Sequence, residues 1–122
     1  MAHPDRDYRL RSSLRISAVF DTGLRAQDGR ALMVGAASAT EVPRMAFAVG
    51  KRHGHAVRRN RLRRLCREAF RQVRAELPGG WDFVLVPRVR DDHSVGALAA
   101  SIRLLALRIA QAAGAARQDA RP

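Results

Sequence analysis

Apolar residues recur at three- and four-residue steps through residues 51–74: Leu62, Leu65, Cys66, Ala69, Phe70 and Val73. That spacing predicts a long amphipathic helix with one buried stripe. Pro78-Gly79-Gly80 cannot continue it, so the helix should end near Leu77. Aromatic and β-branched residues over 81–86 predict the best strand of the chain, stopped by Pro87. Residues 44–49 alternate, with Met45, Phe47 and Val49 on one side and Arg44, Ala46 and Ala48 on the other. The second side can take either solvent or a close neighbour. Residues 31–37 read as a weaker strand, small and apolar without clean alternation, and Asp28-Gly29 supplies a turn before it. Ser12 and Ser13 can cap a helix over 13–22 that carries Leu14, Ile16, Val19 and Phe20, with Gly23 placed to end it. Ser94 can cap a last helix over 95–113, where Leu98, Ile102, Leu105 and Ile109 form a buried stripe. Residues 1–8 and 114–122 read as loose ends. With no internal repeat or linker, the pattern implies one domain over 1–122. It is a small α+β sandwich in which helices cover a mostly antiparallel sheet.

Charge changes this picture most in the long helix. Residues 51–74 hold ten of the 23 basic residues and a single acid, Glu68. At about 100° per residue, Asn60, Arg64, Arg67 and Arg71 fall opposite the apolar stripe, flanked by Arg63, Arg74 and Arg61. A solvated helix face normally mixes signs, because acid–base pairs one turn apart support the helix and like charges oppose it. A face of arginines therefore points to a polyanion outside the chain, and arginine suits bidentate pairing with phosphate. The net charge of +12 and pI near 11.8 agree with a nucleic-acid-binding domain.

Composition excludes several classes. One cysteine, Cys66, permits no disulfide within the chain and sits on the apolar stripe, where it reads as a core residue. No apolar run approaches the roughly 20 residues that span a membrane, and the N-terminus lacks a signal-like apolar region, so a cytoplasmic protein is expected. His53 and His55 have no second cysteine or carboxylate at zinc spacing. Asp91 and Asp92 are adjacent and fit a loop better than a catalytic pair. Gly50-Lys-Arg-His-Gly54 lacks the spacing of a phosphate-binding loop. No self-sufficient hydrolase site emerges.

The run K-R-H-G-x-A-V-x-R-N-R-x-R-R-L-x-R over 51–67 resembles the bacterial ribonuclease P protein component. Arg9-Leu10, Val19-Phe20-x-x-Gly23 and Asp82-Phe-Val-Leu-Val-Pro-Arg88 extend the resemblance over most of residues 9–110. It implies an α-β-β-β-α-β-α fold with a four-stranded sheet and the long basic helix in a left-handed crossover. It implies a subunit of a ribonucleoprotein endonuclease that removes the 5′ leader of precursor tRNA, with magnesium held mainly by the RNA. The partners implied are the catalytic RNA and the leader. By resemblance, Arg59, Asn60, Arg61, Arg64 and Arg67 would meet the catalytic RNA, with Lys51, Arg52 and His53 beside them; the basic run adds Arg58, Arg63 and Arg71 to the expected RNA-binding residues. A cleft between the first helix and the sheet would take the single-stranded leader, lined by Arg9, Arg11, Arg15, Ile16, Phe20 and Phe47. The aromatic stacking platforms usual for single strands are few here. Charge alone also fits another basic RNA- or DNA-binding protein, such as a ribosomal protein.

Overall fold

The structure, a computed structural model, describes residues 3–119. Its main elements are α1 (Ser13–Thr22), β1 (Leu24–Gln27), β2 (Ala31–Ala37), β3 (Arg44–Phe47), α2 (Ala56–Val73), β4 (Trp81–Pro87) and α3 (Val95–Asp119). The order α-β-β-β-α-β-α therefore holds, with short 3-10 turns at Asp5–Tyr8, Lys51–His53 and Arg74–Glu76. The four strands form one sheet in the order β1-β2-β4-β3. β4 pairs antiparallel with β2 and parallel with β3, so the sheet is mixed. The last strand enters the middle because its side chains, Asp82 apart, are apolar on both faces, and only a central strand buries both. Its parallel partner lies one crossover back, and α2 is that crossover.

Each face of the sheet carries a core. Under α2 and α3, Met33, Met45, Phe83 and Leu85 pack with Cys66, Phe70, Leu98, Ile102 and Leu105. Under α1, Val19 packs with Leu10, Val34 and Val84. Ala46 and Ala48 pack against this second core, so their side of β3 meets a close neighbour rather than open solvent.

Two boundaries differ from the sequence expectation. Asp5–Tyr8 is not loose: Tyr8 packs edge-on against Phe70 at 6.3 Å and under the Arg74 guanidinium at 4.0 Å. The chain then bridges the outer edge of β3, where the Leu10 amide donates to the Met45 carbonyl. α3 continues to Asp119 through Gly114, because a glycine weakens a helix by about 1 kcal/mol without ending it; residues 120–122 lie outside the described residues. Residues 95–115 of α3 are also long and apolar enough to cross a membrane by composition, contrary to the sequence reading. Here Leu98, Ile102, Leu105, Ala106 and Ile109 are core residues of the globule. Gly23 closes α1 for a reason other than left-handed backbone: its φ is −74°. A Cβ there would stand 2.4 Å from the Val19 carbonyl oxygen and 2.7 Å from Val34 Cγ1, so glycine permits α1 to lie close on β2.

Candidate nucleic-acid interface

The connection from β3 into α2 is held by one histidine. His53 is buried; the Gly50 amide donates to its Nδ1 at 3.1 Å and its Nε2 donates to the Pro87 carbonyl at 2.7 Å. Both ring nitrogens are engaged and the ring is buried, so His53 locks this turn instead of being presented with its basic neighbours. The lock leaves Lys51 and Arg52 exposed on the turn. Gly54 follows at φ 106°, a conformation that a side chain rarely adopts, and turns the chain into α2.

On α2 the apolar stripe is buried as expected, with Leu62, Cys66, Ala69, Phe70 and Val73 inside and Leu65 partly so. The arginines divide into two groups. Arg63 donates to the Val49 carbonyl at 3.0 Å and to Asn60 Oδ1 at 3.1 Å. Arg71 chelates Glu68, and Arg58 pairs with Asp91 across an exposed contact. Arg61, Arg64 and Arg67 are exposed and make no hydrogen bond or ion pair among the described residues. Arg59 is half-buried, and its Nε is shielded without a hydrogen-bond partner among the described residues. Val57 lies on the same face as Arg61 and Arg64, four and seven residues before them, and is 81% exposed.

Beside this face runs an open groove of about 870 Å³. Arg61, Arg64 and Arg67 form one rim, and Arg9 and Arg11 line it from the N-terminal segment. Ile16, Met45, Phe47 and Leu65 supply apolar lining. Its acids are neutralised locally, Asp5 by Arg74 and Glu68 by Arg71. The structure thus joins Arg9, Arg11, Ile16 and Phe47 to the α2 arginines.

Phe20 is elsewhere. It lines a second groove of about 450 Å³ between α1 and the sheet, with Leu32, Ala48, Val86 and Arg52. The six residues expected in one cleft are therefore divided. Strand alternation turns Phe47 toward α2, where it meets Phe70 edge-on at 6.3 Å, while Phe20 covers the opposite face of the sheet.

Arg15 also departs from expectation, since it lines neither groove. Its Nε donates to Asp82 Oδ2 at 2.7 Å, and its Nη2 donates to the Ala37 carbonyl at 2.8 Å. Arg44 holds the other side of Asp82, at 2.7 and 2.8 Å. Burial alone would raise the Asp82 carboxyl, but the hydrogen bonds from Arg44 and Arg15 overcome it and hold the group below its ordinary range. Nothing in the local sequence shows what Asp82 binds, because its partners lie 38 and 67 residues away.

Among the described residues no group of three or more His, Cys, Asp or Glu side chains converges to hold a metal ion. Asp5, Glu68, Asp82, Asp91 and Asp92 each face an arginine instead. This donor set does not fit a resident metal. Cys66 is buried and its thiol is pushed up to about 12 by desolvation, which makes it inert as a nucleophile.

The sequence model of the family described as Ribonuclease P matches residues 5–110. The Ribonuclease P protein component of Pseudomonas aeruginosa (strain LESB58) is 40% identical over 86 residues, which cover 69% of this chain and 63% of that protein. This chain thus spans less than two thirds of that relative's length. The corresponding protein of Roseiflexus castenholzii is 42% identical over 84 residues, 68% of each chain. Among solved structures, the RNase P protein from Thermotoga maritima superposes with a TM-score of 0.74 at 26% identity, over 83% of this chain and 96% of that one. The RNase P protein of Staphylococcus aureus shares the fold, with a TM-score of 0.71 at 21% identity, over 84% of this chain and 94% of that one.

Proposed function

Because the chain belongs to the ribonuclease P protein family, we propose that it is the protein subunit of a ribonucleoprotein endonuclease that matures the 5′ end of tRNA. The observation that carries this reading is the row Arg61, Arg64 and Arg67, exposed on α2 with no ion-pair partner among the described residues. Like charges at helical spacing repel, and a phosphate backbone relieves that repulsion while releasing counterions. Val57 on the same face offers a sugar or base edge an apolar contact, and Lys51 and Arg52 extend the basic surface at the helix entry. This face takes the catalytic RNA.

The single-stranded leader of the precursor takes the groove between α1 and the sheet. Phe20 is its aromatic wall, Leu32, Ala48 and Val86 line it further, and Arg52 supplies charge at its edge. The larger groove, with Arg9 and Arg11 facing the α2 arginines, continues the RNA-binding surface around the outer edge of β3. Catalysis belongs to the RNA and its magnesium ions. Among the described residues no acids converge to hold an ion, and the protein's own chemistry is to bind, neutralise phosphate and orient.

The test is cleavage of precursor tRNA by the catalytic RNA at low magnesium, with and without this chain. Cleavage should rise on addition of the protein. Flat activity with intact RNA, or equal affinity for a duplex DNA of the same length, would reject the reading in favour of a general basic binding protein.

A further inference from the structure

Asp82 is fully buried, so it touches no RNA, yet it ties three other elements to β4. Arg15 reaches it from α1 and Arg44 from β3, and Arg15 also donates to the Ala37 carbonyl at the end of β2. By two-residue alternation Asp82, Val84 and Val86 share the sheet face that α1 covers. Val84 packs with Val19, and Val86 lines the smaller groove with Phe20. At about 3.3 Å per residue, Val86 stands roughly 13 Å along the strand from Asp82. The far end of α1 is held by the close approach of Gly23 to Val34 and Gly35. The helix thus has two fixed points, and Phe20 lies between them.

We propose that Asp82 is a positioning residue for the groove between α1 and the sheet: through Arg15 it sets how closely α1 lies on the strands, and so the width of the slot between Phe20 and Val86. The inference rests on the reading that this groove takes the single-stranded leader. Its rival is that Arg15 and Arg44, each about one-third exposed, act directly as cations for RNA. The two predict opposite signs for Asp82→Asn. Loss of the carboxylate frees both guanidiniums, which would tighten RNA binding if they were contacts. It loosens the leader if they are tethers.

The experiment uses the holoenzyme assembled on the catalytic RNA, with precursor tRNA carrying a leader and with mature tRNA lacking one. For Asp82→Asn, affinity for the precursor should fall roughly tenfold, since sub-ångström to ångström misplacement of a binding wall costs of that order or more. KM should rise with kcat unchanged, and affinities for mature tRNA and for the catalytic RNA should stay as in the native protein. A tighter hold on the precursor, an equal loss for precursor and mature tRNA, or no change overturns the proposal. If Asp82→Asn fails to fold, Arg15→Met decides, because it keeps the two-point Arg44–Asp82 pair. It should weaken precursor binding with the salt dependence unchanged; a slope lower by about one counterion makes Arg15 a direct phosphate contact and overturns the proposal. The native protein serves as the separate control. If it shows no preference for precursor over mature tRNA, the leader-groove reading itself is wrong, and the role of Asp82 falls with it.

Discussion

The Arg63 guanidinium is hydrogen-bonded to the carbonyl of Val49 at 3.0 Å, while Arg64, the next residue, has no partner among the described residues. Adjacent arginines in one basic run therefore do different work. Arg64→Ala should weaken binding to the catalytic RNA and lower the slope of log affinity against log salt by about one. Arg63→Ala should instead lower the melting temperature, at a cost of about 1 kcal/mol for the lost hydrogen bonds. Salt titrations and thermal melts of both variants check the division. A larger change of slope in Arg63→Ala would reverse it.

The two phenylalanines separate in the same way. Phe20→Ala should reduce affinity for a single-stranded leader by about 1–3 kcal/mol, the range for loss of a base-stacking platform. Phe47 touches Phe70 across the main core, so Phe47→Ala should cost roughly 2–3 kcal/mol of stability. Leader-length series measured by equilibrium binding, paired with denaturant melts, distinguish the two outcomes.

His53→Ala removes a buried ring with two hydrogen bonds and leaves the Pro87 carbonyl without its donor. The expected cost is about 1–3 kcal/mol. If His53 were a phosphate ligand, the variant would keep its stability and lose salt dependence. Melting curves and a salt titration on one sample tell these apart.

The Asp82 carboxyl is lowered in the folded state, so the stability it confers is present above the ordinary carboxylate value near pH 4. That stability is lost as pH falls through the lowered folded-state value. Acid titration followed by circular dichroism should show this loss in the native protein and a flatter acid limb in Asp82→Asn. At neutral pH the same variant should be less stable by about 2–3 kcal/mol. That is somewhat under the usual cost of breaking a buried pair, because both arginines retain access to water.

Gly23→Ala should destabilise by about 1–3 kcal/mol, since the new methyl meets the Val19 carbonyl and Val34 and α1 has to lift. Its precursor affinity should fall with its stability, whereas its affinity for the catalytic RNA should hold. Binding to each RNA alongside a melt is the check.

Local chemistry wrote much of this molecule into the sequence. The stripe from Leu62 to Val73, the Ser12 and Ser94 caps and the apolar run after Trp81 specify helices and a strand through residues close in sequence. The arginine face followed from the same period, because one helix repeat places both stripe and charge. What the tertiary structure decided is which polar groups remain available. His53 is taken by Pro87, Arg63 by Val49 and Arg15 by Asp82, and those partners stand 34, 14 and 67 residues away. Phe20 and Phe47 parted for a related reason, since the faces of a sheet acquire their neighbours only when α1 and α2 pack on opposite sides. Periodicity is a property of neighbours along the chain, whereas the availability of a charge depends on what the fold brings beside it.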